Sequence, residues 1–147
     1  MELTLKDAIL GTFILLLLAC FLSFTASKAQ NAALTGAWTM FEYSWTNDQG
    51  KQITTEDQIK ADGGVTEYLF MDDGNFKLTS NMADESTGMA TYEGTWKFEE
   101  DKVMLKMKMG EQLVDLVWNA EIKDNILNLS RSSPDGSVTV VNSFKRK

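Results

Sequence analysis

Carboxylates are the abundant reactive side chains of this sequence, and two of their runs, Asp72-Asp73 and Glu99-Glu100-Asp101, are dense enough to suggest chemistry. Paired carboxylates hold cations or divide general-acid and general-base work between them. Both runs, however, sit in short polar breaks between alternating segments, where acidic residues serve turn formation and solubility. Neither matches the spaced Asp-x-Asp-x-Asp-Gly pattern of a calcium loop. The chain has no histidine, and its one cysteine, Cys20, lies in an N-terminal apolar run. Ser-His-Asp and Cys-His nucleophiles, His-ligated zinc and disulfide frameworks are therefore excluded from the folded part. A lone carboxylate such as Glu42 has no activated nucleophile beside it in the sequence. The expectation is a protein that is not an enzyme and that uses no metal and no cofactor. Asn128-Leu129-Ser130 fits the N-glycosylation pattern but falls in mid-strand and is given no weight.

Charge narrows the partners. The formal charge of the 147 residues is −7, and residues 1–29 contribute nothing to it because Lys6 and Lys28 balance Glu2 and Asp7. A surface this acidic repels phosphate backbones and anionic headgroups, so no nucleic acid is expected as a partner. Membrane contact is expected only through the N-terminal segment, and the folded part is expected to be a monomer.

The elements that must position any site are short and alternate with a period of two. From Trp38 to Arg146, eight such segments are separated by turn residues: Trp38–Trp45, Val65–Met71, Phe76–Ser80, Ala90–Phe98, Val103–Met109, Leu113–Lys123, Ile126–Arg131 and Val138–Arg146. Consecutive strands joined by tight turns predict an all-β fold, an eight-stranded up-and-down antiparallel barrel. Residues 47–64 read as a long polar loop, with one or two helical turns over Thr54–Ala61 capped by Thr54 or Thr55. The first strand leaves its faces open: Trp38-Met40-Glu42 and Phe41-Tyr43-Trp45 are both acceptable inner sets, which points to a bulge midway.

Threading the meander sorts inward residues by height. The end with the tight turns collects Phe70, Phe76, Phe98, Val103, Ile122, Leu127 and Phe144, large enough to close it. The other end, under loops 47–64, 81–89 and 132–137, collects Thr66, Ser80, Ala90, Met109, Val114, Arg131 and Val138. That taper predicts a cavity at the loop end. A small apolar or amphiphilic ligand would lie over Tyr92, Gly94, Met107 and Trp118, with Arg131 nearest its polar end. Each has a plainer reading. Arg131 can snorkel to the rim or pair with Glu42 or Asp135. Gly94 can be the bend that lets its strand coil. Met82 and Met89 flank the mouth loop, where apolar residues have no structural need. A filled barrel that docks a protein or glycan through its loops is the rival reading.

Ahead of the barrel, Ala8–Ser27 is a run of twenty uncharged residues, followed by Ser27-Lys28-Ala29-Gln30. Small residues at −3 and −1 of a cut after Ala29 make residues 1–29 a signal segment and residues 30–147 the domain. Leu17-Leu18-Ala19-Cys20 also fits a lipobox with Cys20 as lipidation site, and the run is long enough for an uncleaved anchor. All three place the domain outside the cytoplasm: periplasmic, outer-membrane-associated or extracellular.

A Gly-x-Trp opening followed by an eight-strand meander resembles the lipocalin superfold, and more closely the small lipocalin-like domain proteins of bacterial cell envelopes. The resemblance covers about residues 34–146. It rests on Leu34-Thr35-Gly36-Ala37-Trp38, on Tyr68-Leu69-Phe70-x-x-Asp73-Gly74-x-Phe76 and on Phe144-Lys145-Arg146. It implies that Trp38, following Gly36, packs at the closed end against a basic residue of the last strand. Threading independently brings Arg146 to that end, in reach of a cation–π contact. The disulfides and the helix that follows the barrel in larger lipocalins are missing. What the resemblance implies is fold far more than activity.

Overall fold

The computed structural model describes residues 31–82 and 88–147; the expected signal segment, Cys20 and the centre of the 81–89 loop lie outside the described residues. The strands are β1 (Gly36–Asn47), β2 (Gly50–Thr54), β3 (Thr66–Phe70), β4 (Asn75–Ser80), β5 (Ala90–Glu99), β6 (Lys102–Met109), β7 (Gln112–Lys123), β8 (Ile126–Ser132) and β9 (Thr139–Arg146), and helix α1 spans Glu56–Ala61. β1 pairs with β3, each strand from β3 to β9 then pairs with the next, and β9 returns to β1, so eight strands close an antiparallel barrel. Closure runs from Trp38 opposite Arg146 to Thr46 opposite Thr139.

One strand is additional to the eight expected. Within the segment that reads as a loop, Gly50–Thr54 folds back on Tyr43–Asn47 as β2. It occupies the edge of β1 above the stretch, Gly36–Thr39, that pairs with β3. Lys51-Gln52-Ile53 shows no apolar alternation because neither of its faces is covered, which is why the sequence hides it. Helix α1 follows with Thr55 as its N-cap, whose N–H donates to the Gln58 side chain at 2.9 Å. Ile59 alone on the helix is buried. Glu56 ties it outward to Lys60 at 2.6 Å and across to Lys145 of β9 at 2.7 Å.

The two tightest hairpins turn on residues pushed to positive φ: Glu100-Asp101 (51° and 59°) and Asp124-Asn125 (52° and 61°). Two-residue turns of that hand match the right-handed twist of the flanking strands, and Asp and Asn tolerate it best. The register of β1 against β9 shifts between Met40 and Glu42, a bulge that places Phe41 out of step. Trp38 and Met40 therefore point into the barrel below the bulge, while above it Tyr43 packs against the core. Glu42, one of the expected inner residues, is carried to the outer wall beside Ser44 and Ser143. The lower interior is filled: Trp38, Phe70, Phe76, Leu127 and Phe144 are each 0–1 % exposed. Burial of such side chains contributes about 1.5–3 kcal/mol each.

Candidate binding site at the barrel mouth

The closed end makes a cavity possible by sealing one side. Trp38 is fully buried, its indole N–H donates to the Leu34 carbonyl at 2.7 Å, and the Arg146 guanidinium lies 4.4 Å over its ring centroid. Arg146 Nη1 also donates to the Thr35 carbonyl at 2.8 Å and Nη2 to the Ala33 carbonyl at 2.6 Å. These carbonyls end the helical turn over residues 31–34, so the cation sits where a helix terminus leaves acceptors unpaired. Gly36 is required there twice over. Its φ is +127°, and a Cβ would come within 2.7 Å of Arg146 Nη1.

Toward the loops the barrel opens into a cavity of about 440 Å³. Met40, Tyr68, Leu78 and Phe144 form its apolar floor; Thr66, Ser80 and Asn142 form a polar wall; Tyr43, Met82 and Trp118 complete the lining. Its size falls in the ordinary range for small-molecule sites, about 300–1,000 Å³. The floor is rigid because Tyr68 belongs to an aromatic cluster, stacked on Phe70 at 5.3 Å and edge-on to Phe144 at 5.4 Å between centroids. The hydroxyls of Thr66 and Ser80 bond each other at 2.8 Å, and Ser80 accepts the Met82 N–H at 3.0 Å. No ionisable carboxylate, lysine or arginine lines the space.

Two donors on this lining have no protein acceptor among the described residues. Tyr68 is 6 % exposed, and burial alone pushes its hydroxyl up to about 12, with no hydrogen bond contributing. The indole N–H of Trp118 is buried and unpaired. A buried donor left without a partner is destabilising by about 1–3 kcal/mol.

The residues singled out from sequence divide. Trp118 lines the cavity, and the exposed Arg131 places its guanidinium 5.6 Å from the centre of that ring. Asp135, one of its expected partners, instead accepts from Ser133 and Ser137, which holds its carboxyl at about 2. Met107 is buried in the core, and Tyr92 packs half-buried against it, so neither lines the cavity. Gly94 encloses no binding volume. A Cβ on it would collide with the carbonyl oxygen of Lys106 across the β5–β6 pair. β5 pairs with β4 over Ala90–Thr95 and with β6 only from Gly94 onward, so Gly94 is the corner where the strand turns between neighbours. The cavity therefore leans on β1, β3, β4 and β9, where the inward phase of Thr66, Tyr68, Leu78 and Asn142 was readable from alternation but their shared height was not.

A second hollow of about 470 Å³ lies on the outer wall across β1, β9, β8 and β7, floored by Ser44, Asn128, Ser130 and Ser143 and edged by Glu42, Asp101 and Glu121. Ser143 donates to Asn128 Oδ1 at 2.8 Å. This hollow is polar and faces solvent, whereas the mouth cavity joins an apolar floor to a few polar groups, the usual composition of a ligand site. Among the described residues no group of three or more His, Cys, Asp or Glu is gathered as for a metal ion.

The architecture, a closed eight-strand meander sealed by Gly36-x-Trp38 and Arg146, is the one that the sequence's resemblance to lipocalin-like proteins implies. No protein-family model and no curated protein matches the chain. Among solved structures it is similar to a lipocalin-like protein from Bacteroides uniformis ATCC 8492, with 13 % identity, a TM-score of 0.49, and 78 % of this chain and 99 % of that one covered. An uncharacterized protein from Bacteroides eggerthii DSM 20697 gives 14 % identity and a TM-score of 0.49 over 77 % and 98 % of the two chains. A point mutant of the REP1-NXSQ fatty acid transporter gives 15 % and 0.41 over 79 % and 99 %.

Proposed function

We propose that the domain is a non-catalytic binding module that holds one small apolar or amphiphilic molecule in the mouth of the barrel. The observation that carries this reading is the 440 Å³ cavity, an aromatic and aliphatic floor beneath a few polar side chains at the unsealed end. The apolar body of the ligand lies on Tyr68, Leu78 and Phe144, and an anionic end, where the ligand has one, reaches Arg131 at the rim. The absence of histidine supports a binding role over catalysis. Export is part of the proposal and rests on the sequence of residues 1–29, the apolar run and the small residues before Gln30.

Native mass spectrometry of the purified protein tests the reading. A bound small molecule that is retained by the wild-type protein and absent from a folded Leu78→Trp variant, in which an indole fills the floor, is the expected result. An empty wild-type protein that also takes up no apolar dye overturns it and favours a barrel that acts through its outer surfaces.

A further inference from the structure

Resting on the proposed cavity reading, the geometry points to a specific ligand chemistry: we propose that the molecule carries a neutral hydrogen-bond acceptor, a carbonyl or ether oxygen, that meets the Tyr68 hydroxyl and the Trp118 indole N–H. Three observations converge. Tyr68 is more than nine-tenths buried, lines the cavity and has no acceptor among the described residues. Trp118, on the same lining, has a buried N–H with none. The Thr66 and Ser80 hydroxyls on the same lining, by contrast, satisfy each other.

Two unpaired donors on residues of one lining select an acceptor and discriminate against a ligand that offers only hydrocarbon, because hydrocarbon leaves both donors unpaired. The charge of that acceptor follows from the lining. With no cation on it, an ionised carboxylate at the depth of Tyr68 would lose its hydration and gain only neutral donors. Arg131 is the nearby cation; it is exposed, its guanidinium 5.6 Å from the centre of the Trp118 ring, and it is not among the residues that line the cavity. A charged group therefore belongs at the rim and the neutral oxygen below it.

Two neutral dyes separate this inference from the reading on which it rests: Nile red, which has a ring carbonyl, and diphenylhexatriene, which has no heteroatom. The full-length protein is titrated with each, and Tyr68→Phe and Trp118→Phe are compared with wild type, so that any uptake by the shared N-terminal segment cancels. Both substitutions keep an aromatic ring in place. The expected result is a roughly 3- to 10-fold loss of Nile red affinity in each variant, the worth of one neutral hydrogen bond, with diphenylhexatriene affinity unchanged. Equal affinities of wild type and both variants for Nile red would overturn the acceptor inference while leaving the cavity standing. A parallel loss of both dyes would also overturn it, since that marks altered shape and not a lost donor. No uptake of either dye by the wild-type protein would remove the cavity reading itself.

Discussion

Trp38, Gly36 and Arg146 act as one unit at the sealed end, and each is explained by the others. The ring needs a cover, the guanidinium needs the carbonyls of Ala33 and Thr35, and both need a residue at 36 without a Cβ. Trp38→Ala should cost about 3–5 kcal/mol in denaturant unfolding, as for other buried aromatic rings. Arg146→Ala should cost less, and the double variant should lose less than the sum, because the first substitution already removes the stacked contact. Fully additive losses would show the two side chains to be energetically independent. Tyr68 gives a pH prediction of definite sign. Its folded value of about 12 lies above the ordinary 10, so the folded state holds the proton more tightly. That stabilisation is complete below pH 10 and is lost as pH rises from 10 to 12, by up to about 3 kcal/mol. Wild type should lose stability over that window faster than Tyr68→Phe, and identical alkaline melting curves would contradict the burial of this hydroxyl. At this scale the sealed end was legible in the sequence because a short motif fixes it and alternation ends there. The mouth was not, since Tyr92 and Met107 share the inward phase of Tyr68 and Leu78 and nothing in the sequence says which pair borders the cavity.

Elements were legible wherever one face is buried. The eight barrel strands alternate, and their limits shift by no more than two residues. β2 escaped because it is a paired strand with no covered face, and the bulge at Phe41 showed only as an ambiguity between two inner sets. Gly94 was readable as either space or bend, and the backbone of Lys106 decides for the bend. Gly94→Ala should therefore destabilise by about 1–3 kcal/mol, the usual range for overpacking, and shift the urea midpoint without abolishing dye uptake. A midpoint equal to wild type would mean the β5–β6 pair can open to admit a side chain. The β2–α1 arm is held to β9 through Glu56, whose carboxyl is lowered to about 2 by Lys145 and Lys60. A depressed carboxylate contributes its stabilisation above the ordinary value of 4.5 and loses it as pH falls toward 2. Amide exchange of α1 should accelerate at about pH 3 relative to the barrel strands, and Glu56→Gln should show the same acceleration at about pH 6. Exchange of α1 that tracks the barrel at both pH values would place its anchor in Ile59 alone.

At the scale of the whole molecule, the barrel closes between Trp38 and Arg146, and the export proposal concerns residues 1–29 ahead of it. A cut after Ala29, as proposed, keeps the sealed-end contacts of Trp38 with Leu34 and of Arg146 with Ala33 and Thr35. Cleavage at Cys20 would instead leave Phe21-Leu22-Ser23-Phe24 behind the lipid, an apolar stretch where a tether to the barrel needs polar residues. The net acidic charge lies wholly in residues 30–147, so under the proposed cleavage the exported surface would be repelled by anionic headgroups. Intact-mass measurement of the protein from its native cells should therefore find a chain beginning at Gln30, in a soluble exported fraction. A chain expressed from Gln30 should unfold at the same denaturant midpoint as the full-length protein, as a removable signal requires. A mass beginning at a diacylated Cys20, or full-length protein in the membrane fraction, would reverse the assignment and make the barrel a tethered one, with its mouth held at the lipid surface where an apolar ligand is exchanged.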